Sequence, residues 1–179
     1  MNKLDIQCPL NNKNIVSIVT NKLYERYKFQ WCNTISDYAD KQFGKLRPYA
    51  SFKTRFCREK YFSVIHNPDV LKCFTKFHSS HSLAIETGRY TKTPASERKC
   101  MVCKSDAVED EVHFVFNCKA YEHLRKPFVE SMNTLCKNFK NMCNRDKLIW
   151  LMSNESKNVI EKFANFIYLC SSFRKVDLS

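Results

Sequence analysis

The sequence predicts a mainly helical chain with one small knuckle embedded in it, and three observations lead there. Apolar residues recur at three- and four-residue spacing along most of the chain, the period that gives a helix one buried face. Only 2 glycines and 5 prolines occur in 179 residues, too few for the turns of a sandwich or barrel. Between the helical stretches, Cys100, Cys103, His113 and Cys118 fall close together, joined by a short β-branched and aromatic run. The expected fold is therefore a helical domain holding a small knuckle that contains a short β-hairpin. A content of 44% apolar residues, with 14 Phe and 8 Tyr, is enough to fill a core.

Taken in order, residues 1–45 read as an N-terminal amphipathic helix and linker. The helix covers residues 14 to about 35, with Ile15, Ile18, Val19, Leu23, Tyr27 and Trp31 at helical spacing and Asn12 or Asn14 as N-cap. Residues 46–99 form a basic helical segment. Within it Asn67-Pro68-Asp69 starts a helix that Val70, Leu71, Phe74, Phe77 and His78 continue, until Ser79-Ser80 loosens the pattern. Leu83-Ala84-Ile85 gives one more helical turn, and Gly88 is placed to end it in a left-handed cap before the loop that runs to Lys99. Residues 100–122 are the knuckle. Residues 123–179 hold the C-terminal helices, expected from 121 to about 139, 146 to 152, and 157 to about 173.

In the knuckle, Cys-x2-Cys supplies two thiolates from one tight turn. His-x4-Cys supplies an imidazole and a third thiolate from the returning segment, a Cys3His set that closes a tetrahedron around one structural Zn2+. With 10 cysteines in the chain, one Cys-x-x-Cys is cheap, roughly 0.5 expected by chance. Adding a nearby His and a following Cys lowers that to on the order of 0.04. His123 is a rival for His113 or Cys118. Val112-His113-Phe114-Val115-Phe116 reads as a strand, sending His113 and Val115 to one face and Phe114 and Phe116 to the other. Lys104-Ser105-Asp106 and Glu109-Asp110-Glu111 read as a polar turn outside the core. Zinc with three thiolates leaves about one negative charge, which Arg98, Lys99, Lys104 and Lys119 stand ready to offset. Four protein ligands leave no open position, so the metal is expected to brace the fold and not to hydrolyse.

The formal net charge is +12, yet the knuckle itself is acidic: Asp106, Glu109, Asp110, Glu111 and Glu122 outnumber Lys104 and Lys119. The densest basic stretch, a connector from Lys41 to Lys60, carries Lys41, Lys45, Arg47, Lys53, Arg55, Arg58 and Lys60 against Glu59, interleaved with Phe43, Tyr49, Phe52 and Phe56. Cations neutralise phosphates and exposed aromatic faces stack on unpaired bases, so this composition suits RNA or single-stranded DNA. The same aromatics also fit a helical core stripe with solvated charges between them. An acidic protein partner is the other reading of the charge.

Catalysis is not expected. Tyr38-Ala39-Asp40 is followed by Lys41 where a polymerase would need a second carboxylate, and no flanking apolar strand is present. His78 and His81 are three apart but lack a third ligand, and His66 reads as a loop residue. No glycine-rich phosphate loop or nucleophile signature occurs, so no small-molecule substrate is expected. Neither an 18-residue apolar stretch nor a signal-peptide core is present. The expected setting is intracellular, nuclear or cytoplasmic, without membrane contact or secretion, and the remaining cysteines are expected as reduced thiols.

The segment from about residue 50 to 126 resembles the zinc-binding region that follows the reverse transcriptase of non-LTR retrotransposons. The resemblance lies in Lys72-Cys73-Phe74-Thr75-Lys76-Phe77 through Leu83-Ala84-Ile85-Glu86-Thr87-Gly88-Arg89-Tyr90, Cys100-x2-Cys103, Glu109-Asp110-Glu111-Val112-His113-Phe114, Cys118-Lys119-Ala120-Tyr121 and Arg125. It implies zinc ligation at Cys100, Cys103, His113 and Cys118, and nucleic-acid handling, such as positioning template RNA or target DNA. Lys119 stands where that family commonly has Pro, and the chain carries no polymerase or endonuclease motif. Two alternatives stay open on the residues: a zinc-braced adaptor that meets a protein partner, and a decayed retroelement fragment without activity.

Overall fold

The computed structural model describes residues 15–39, 47–79, 81 and 83–177. Asn12, Asn14, Asp40, Lys41, Phe43 and Lys45, singled out above, lie outside the described residues. The chain is mainly helical. In order come α1 (Ile15–Ala39), α2 (Arg47–Phe52), α3 (Tyr61–Val64), α4 (Pro68–His78), α5 (Ala84–Thr87), α6 (Glu122–Leu135), α7 (Asn144–Ser153) and α8 (Lys157–Asp177).

The last helix organises the rest, because its apolar residues are spaced to face two neighbours at once. Val159, Ile160, Phe163, Ala164, Phe166, Ile167 and Cys170 are all buried, a stripe wide enough for α8 to pack on α4 and α6 together. Phe163 meets Phe74 edge-on at 5.5 Å, while Phe128 of α6 stacks on Phe166 at 4.4 Å. Such offset and edge-to-face pairs add about 0.5–1.5 kcal/mol each beyond burial. On the far side α7 packs on α2, and α2 on α1. Tyr24 and Trp31 of α1 hold Phe56 at 5.4 and 5.7 Å, but Val16, Tyr27 and Phe29 of the same helix are exposed.

Local chemistry sets several boundaries. Asn67 caps α4 as expected, its Oδ1 accepting from the N–H of Asp69 at 2.9 Å and of Val70 at 3.3 Å. The helix expected from 121 to about 139 ends at Leu135. A separate 3-10 turn, Phe139–Asn141, then buries Phe139 against Trp150 at 5.4 Å. Gly88 does not adopt the expected left-handed cap: its φ is −63°. Its missing side chain matters for a different reason. A Cβ there would stand 2.7 Å from Arg98 Cγ and 3.0 Å from Ala84 O.

The expected β-hairpin is not found among the described residues. One isolated antiparallel bridge pairs Lys99 with Val108, with Cys100 N–H donating to Ala107 O at 3.0 Å and Glu109 N–H to Arg98 O at 2.9 Å. The run read as a strand is helical, ending in a π turn at His113–Asn117. Asp110 overrides the β propensity, because its Oδ1 accepts from His113 N–H at 2.7 Å and its carbonyl from Phe114 N–H at 2.9 Å. Phe114 and Val115 consequently enter the core beside His113; they do not alternate across a sheet.

Candidate metal centre

Two short backbone devices gather the four ligand residues. The bridge at Lys99 and Val108 folds the first segment so that Cys100 and Cys103 stand on one tight turn, with Lys104 at φ 51° reversing the chain behind them. On the returning side, Cys118 N–H donates to His113 O at 2.7 Å, an i to i−5 bond that closes the π turn. This wider turn carries His113 and Cys118 to the same side, which His-x4-Cys needs and a regular helix would not supply as closely.

The donor atoms meet tetrahedral expectations. An ion with bonds of about 2.3 Å to thiolate and about 2.0 Å to imidazole sets S···S edges of about 3.8 Å and S···N edges of about 3.5 Å. Cys100 Sγ and Cys118 Sγ are 3.9 Å apart, Cys103 Sγ and His113 Nε2 are 3.4 Å apart, and all four donors lie within 4.8 Å of one another. These residues could hold one metal ion. Cys100, Cys118 and His113 are buried and Cys103 is partly so. His123, the rival ligand, is exposed with its ring 5.5 Å from Phe173 and does not join the cluster.

Protons are unevenly shared among the sulfurs. The Cys118 thiol is pulled below its usual value chiefly by the hydrogen bond from Cys100, and Ala120 N–H adds to this. The Cys100 thiol is pushed up to about 12, first by donating to Cys118 and then by burial. A metal bound here must displace thiol protons, so its affinity should rise with pH.

Around the ligands sits a set of contacts that the sequence did not reveal. Glu109 is wholly buried, so the acidic turn is not the solvated loop expected. Arg174 of α8 binds its carboxylate through both guanidinium nitrogens, Nη2 reaching Oε2 at 3.0 Å. Ala84 N–H at the start of α5 donates to the same oxygen at 2.9 Å, and Oε1 lies 3.7 Å from Cys100 Sγ. A buried carboxylate needs such partners. Arg125, noted only for the family resemblance, donates from Nε to Val115 O at 2.9 Å and from Nη2 to Cys118 O. Arg98 and Lys99, expected to offset thiolate charge, turn to loop carbonyls: Arg98 Nε to Thr93 O at 2.9 Å and Lys99 Nζ to Asp106 O at 2.5 Å.

The basic residues of the connector are placed differently from one another. Lys53 is buried, its Nζ 2.6 Å from Glu59 Oε1 and 2.8 Å from Cys57 O. Tyr49 donates to Glu59 at 3.1 Å, and burial together with that carboxylate raises its pKa. Arg55 is exposed and paired with Glu155; Arg58 is exposed with its guanidinium 5.4 Å from the Phe62 ring centre; Lys60 is exposed. Arg47 begins α2, and its side chain is outside the described residues. Lys53, Arg55, Arg58 and Lys60 line one cavity of about 250 Å3 against the loop between α7 and α8. Phe52 is buried and Phe56 partly so. No match came from family models, curated proteins or solved structures.

Proposed function

We propose that this chain is a zinc-braced helical module that binds single-stranded nucleic acid and performs no catalysis of its own. The observation that carries the metal half is the tetrahedral spacing of three sulfurs and one imidazole nitrogen. Soft thiolates with one imidazole select zinc over hard cations, and a complete set of four protein ligands belongs to a structural site. The formal net charge of +12 supports the nucleic-acid half, as do the exposed Arg55, Arg58 and Lys60 beside one cavity. The resemblance to the zinc-binding region of non-LTR retrotransposons points the same way, toward an intracellular retroelement-derived module. Lys53 is engaged by Glu59, so it supports the local fold in this reading.

Metal analysis and a salt series on the same preparation test both halves. The purified chain should hold about one zinc, and Cys103→Ser should lose it. Affinity for RNA or single-stranded DNA should fall steeply as salt rises. Replacing Arg55, Arg58 and Lys60 by Gln should reduce the slope by roughly 0.7 per lost phosphate contact. Affinity that ignores salt would favour the adaptor reading, for which the exposed Val16, Tyr27 and Phe29 of α1 are the specific support.

A further inference from the structure

A second groove, between α4 and α8, gathers polar groups that the rest of the protein leaves without partners. Its volume is about 500 Å3, inside the roughly 300–1,000 Å3 range of ligand pockets. Lys72 and Lys76 stand on its α4 wall, one helical turn apart and exposed, which puts their Cβ atoms about 5–6 Å from each other. Neither ammonium has a carboxylate partner among the described residues. The α8 wall supplies Tyr168, Ser171 and Ser172, all partly buried. Their hydroxyls also lack an internal hydrogen bond among the described residues. The floor is apolar, made by Leu83 and by Phe114, the neighbour of the ligand His113.

Opposite charge in the groove is small. Asp69 stands at one end, and Arg174 is neutralised by Glu109, so the two lysines decide the sign. The connector cavity contrasts with this, since there Lys53 and Arg55 already hold carboxylates. Two free ammoniums beside two hydroxyls make a phosphate site, because each offers donors and none needs to abandon an internal acceptor. A bare phosphate would leave the apolar floor and the Tyr168 ring uncovered. A nucleotide has both parts, an anion and a flat apolar base that stacks on an aromatic ring.

We infer that this groove binds a nucleotide as one unit of a bound single strand, with the phosphate between Lys72 and Lys76 and the base beside Tyr168. The inference rests on the strand-binding reading above but assigns it a second surface. Uridine 5′-monophosphate and a labelled oligouridine, each titrated into the zinc-loaded full chain, provide the test. The mononucleotide should produce saturable shifts of the Ser171 and Ser172 amides in NMR spectra, and Lys72→Gln with Lys76→Gln should abolish them. Both lysines are exposed, so the double variant should fold. Its oligouridine affinity should drop on the order of tenfold at about 0.1 M salt, with the salt slope reduced by about 0.7 for the one phosphate lost. Shifts confined to residues 53–60, or unchanged in the double variant, would overturn the groove. Undiminished oligouridine affinity in that variant would remove the groove and leave the strand reading. Mononucleotide shifts at Ser171 and Ser172 with no oligouridine binding would remove the strand reading and keep the groove.

Discussion

His78 sits at the end of α4 with Phe52, Tyr61 and Phe74 around it, ring centres 4.6, 5.0 and 5.4 Å away, and Nε2 3.3 Å from Met152 O. Burial lowers its pKa from 6.5 to about 4; Glu59 and the Met152 carbonyl oppose the shift, and Lys53 adds to it. Because the folded value lies below the unfolded one, the stability tied to the neutral ring is fully present above pH 6.5. It is lost as pH falls from there through about 4. The full effect is about 3 kcal/mol at 1.36 kcal/mol per unit. Urea midpoints of the parent and His78→Gln across that range provide the check. The penalty of the substitution should be largest at neutral pH and shrink toward pH 4, and a gap that stays constant would refute the account. The four candidate metal-ligand residues are the same in both proteins, so their contribution cancels in the difference.

At this scale, legibility followed sequence distance. The four ligand residues could be named because their spacing is local and chemically restrictive. Glu109 could not, since an acidic triplet reads as solvated until its partner is known. That partner, Arg174, lies 65 residues further on. The connector shows the same effect. Lys53 looks like its basic neighbours in sequence, yet Glu59 and Cys57 O enclose it.

Elements were legible where one face repeats. The Asn67 cap of α4 and the apolar stripes of α4 and α8 follow directly from residue spacing. The segment after Asp110 was not legible, because Val112 to Phe116 has strand composition and only the cap and the His113–Cys118 bond make it helical. Gly88 gives an element-scale prediction. It must stay small for the Arg98 side chain to pass it and bind Thr93 O and Ile85 O, fastening the loop to α5. Gly88→Ala should destabilise the chain by about 1–3 kcal/mol. Arg98→Ala should cost stability too, but the double variant should lose less than both together, with a coupling of about 0.5–3 kcal/mol. Thermal melts of the four proteins would measure the cycle. Strict additivity would mean that the two residues do not compete for the same space.

For the whole molecule, the question is whether the knuckle is a pendant loop or part of the core. Phe114, one residue past a ligand, stands 5.6 Å from Phe77 of α4 and 4.9 Å from Tyr121. Glu109 links the Cys100 turn to Arg174 near the end of α8 and to the first N–H of α5. Loss of a metal held by this cluster should therefore release a carboxylate clamp and a core phenylalanine together. Chelation should lower the melting temperature, and restored zinc should raise it with concentration, about 2.7 kcal/mol of stabilisation at 100 times Kd. Hydrogen exchange should locate the effect. Protection should fall in residues 98–121, in α5 and in the C-terminal turns of α8, while α2, which packs on α1 and α7, keeps its own. A loss confined to residues 98–121 would show that the clamp does not transmit, and the knuckle would then be a separately folding appendage despite its buried phenylalanine.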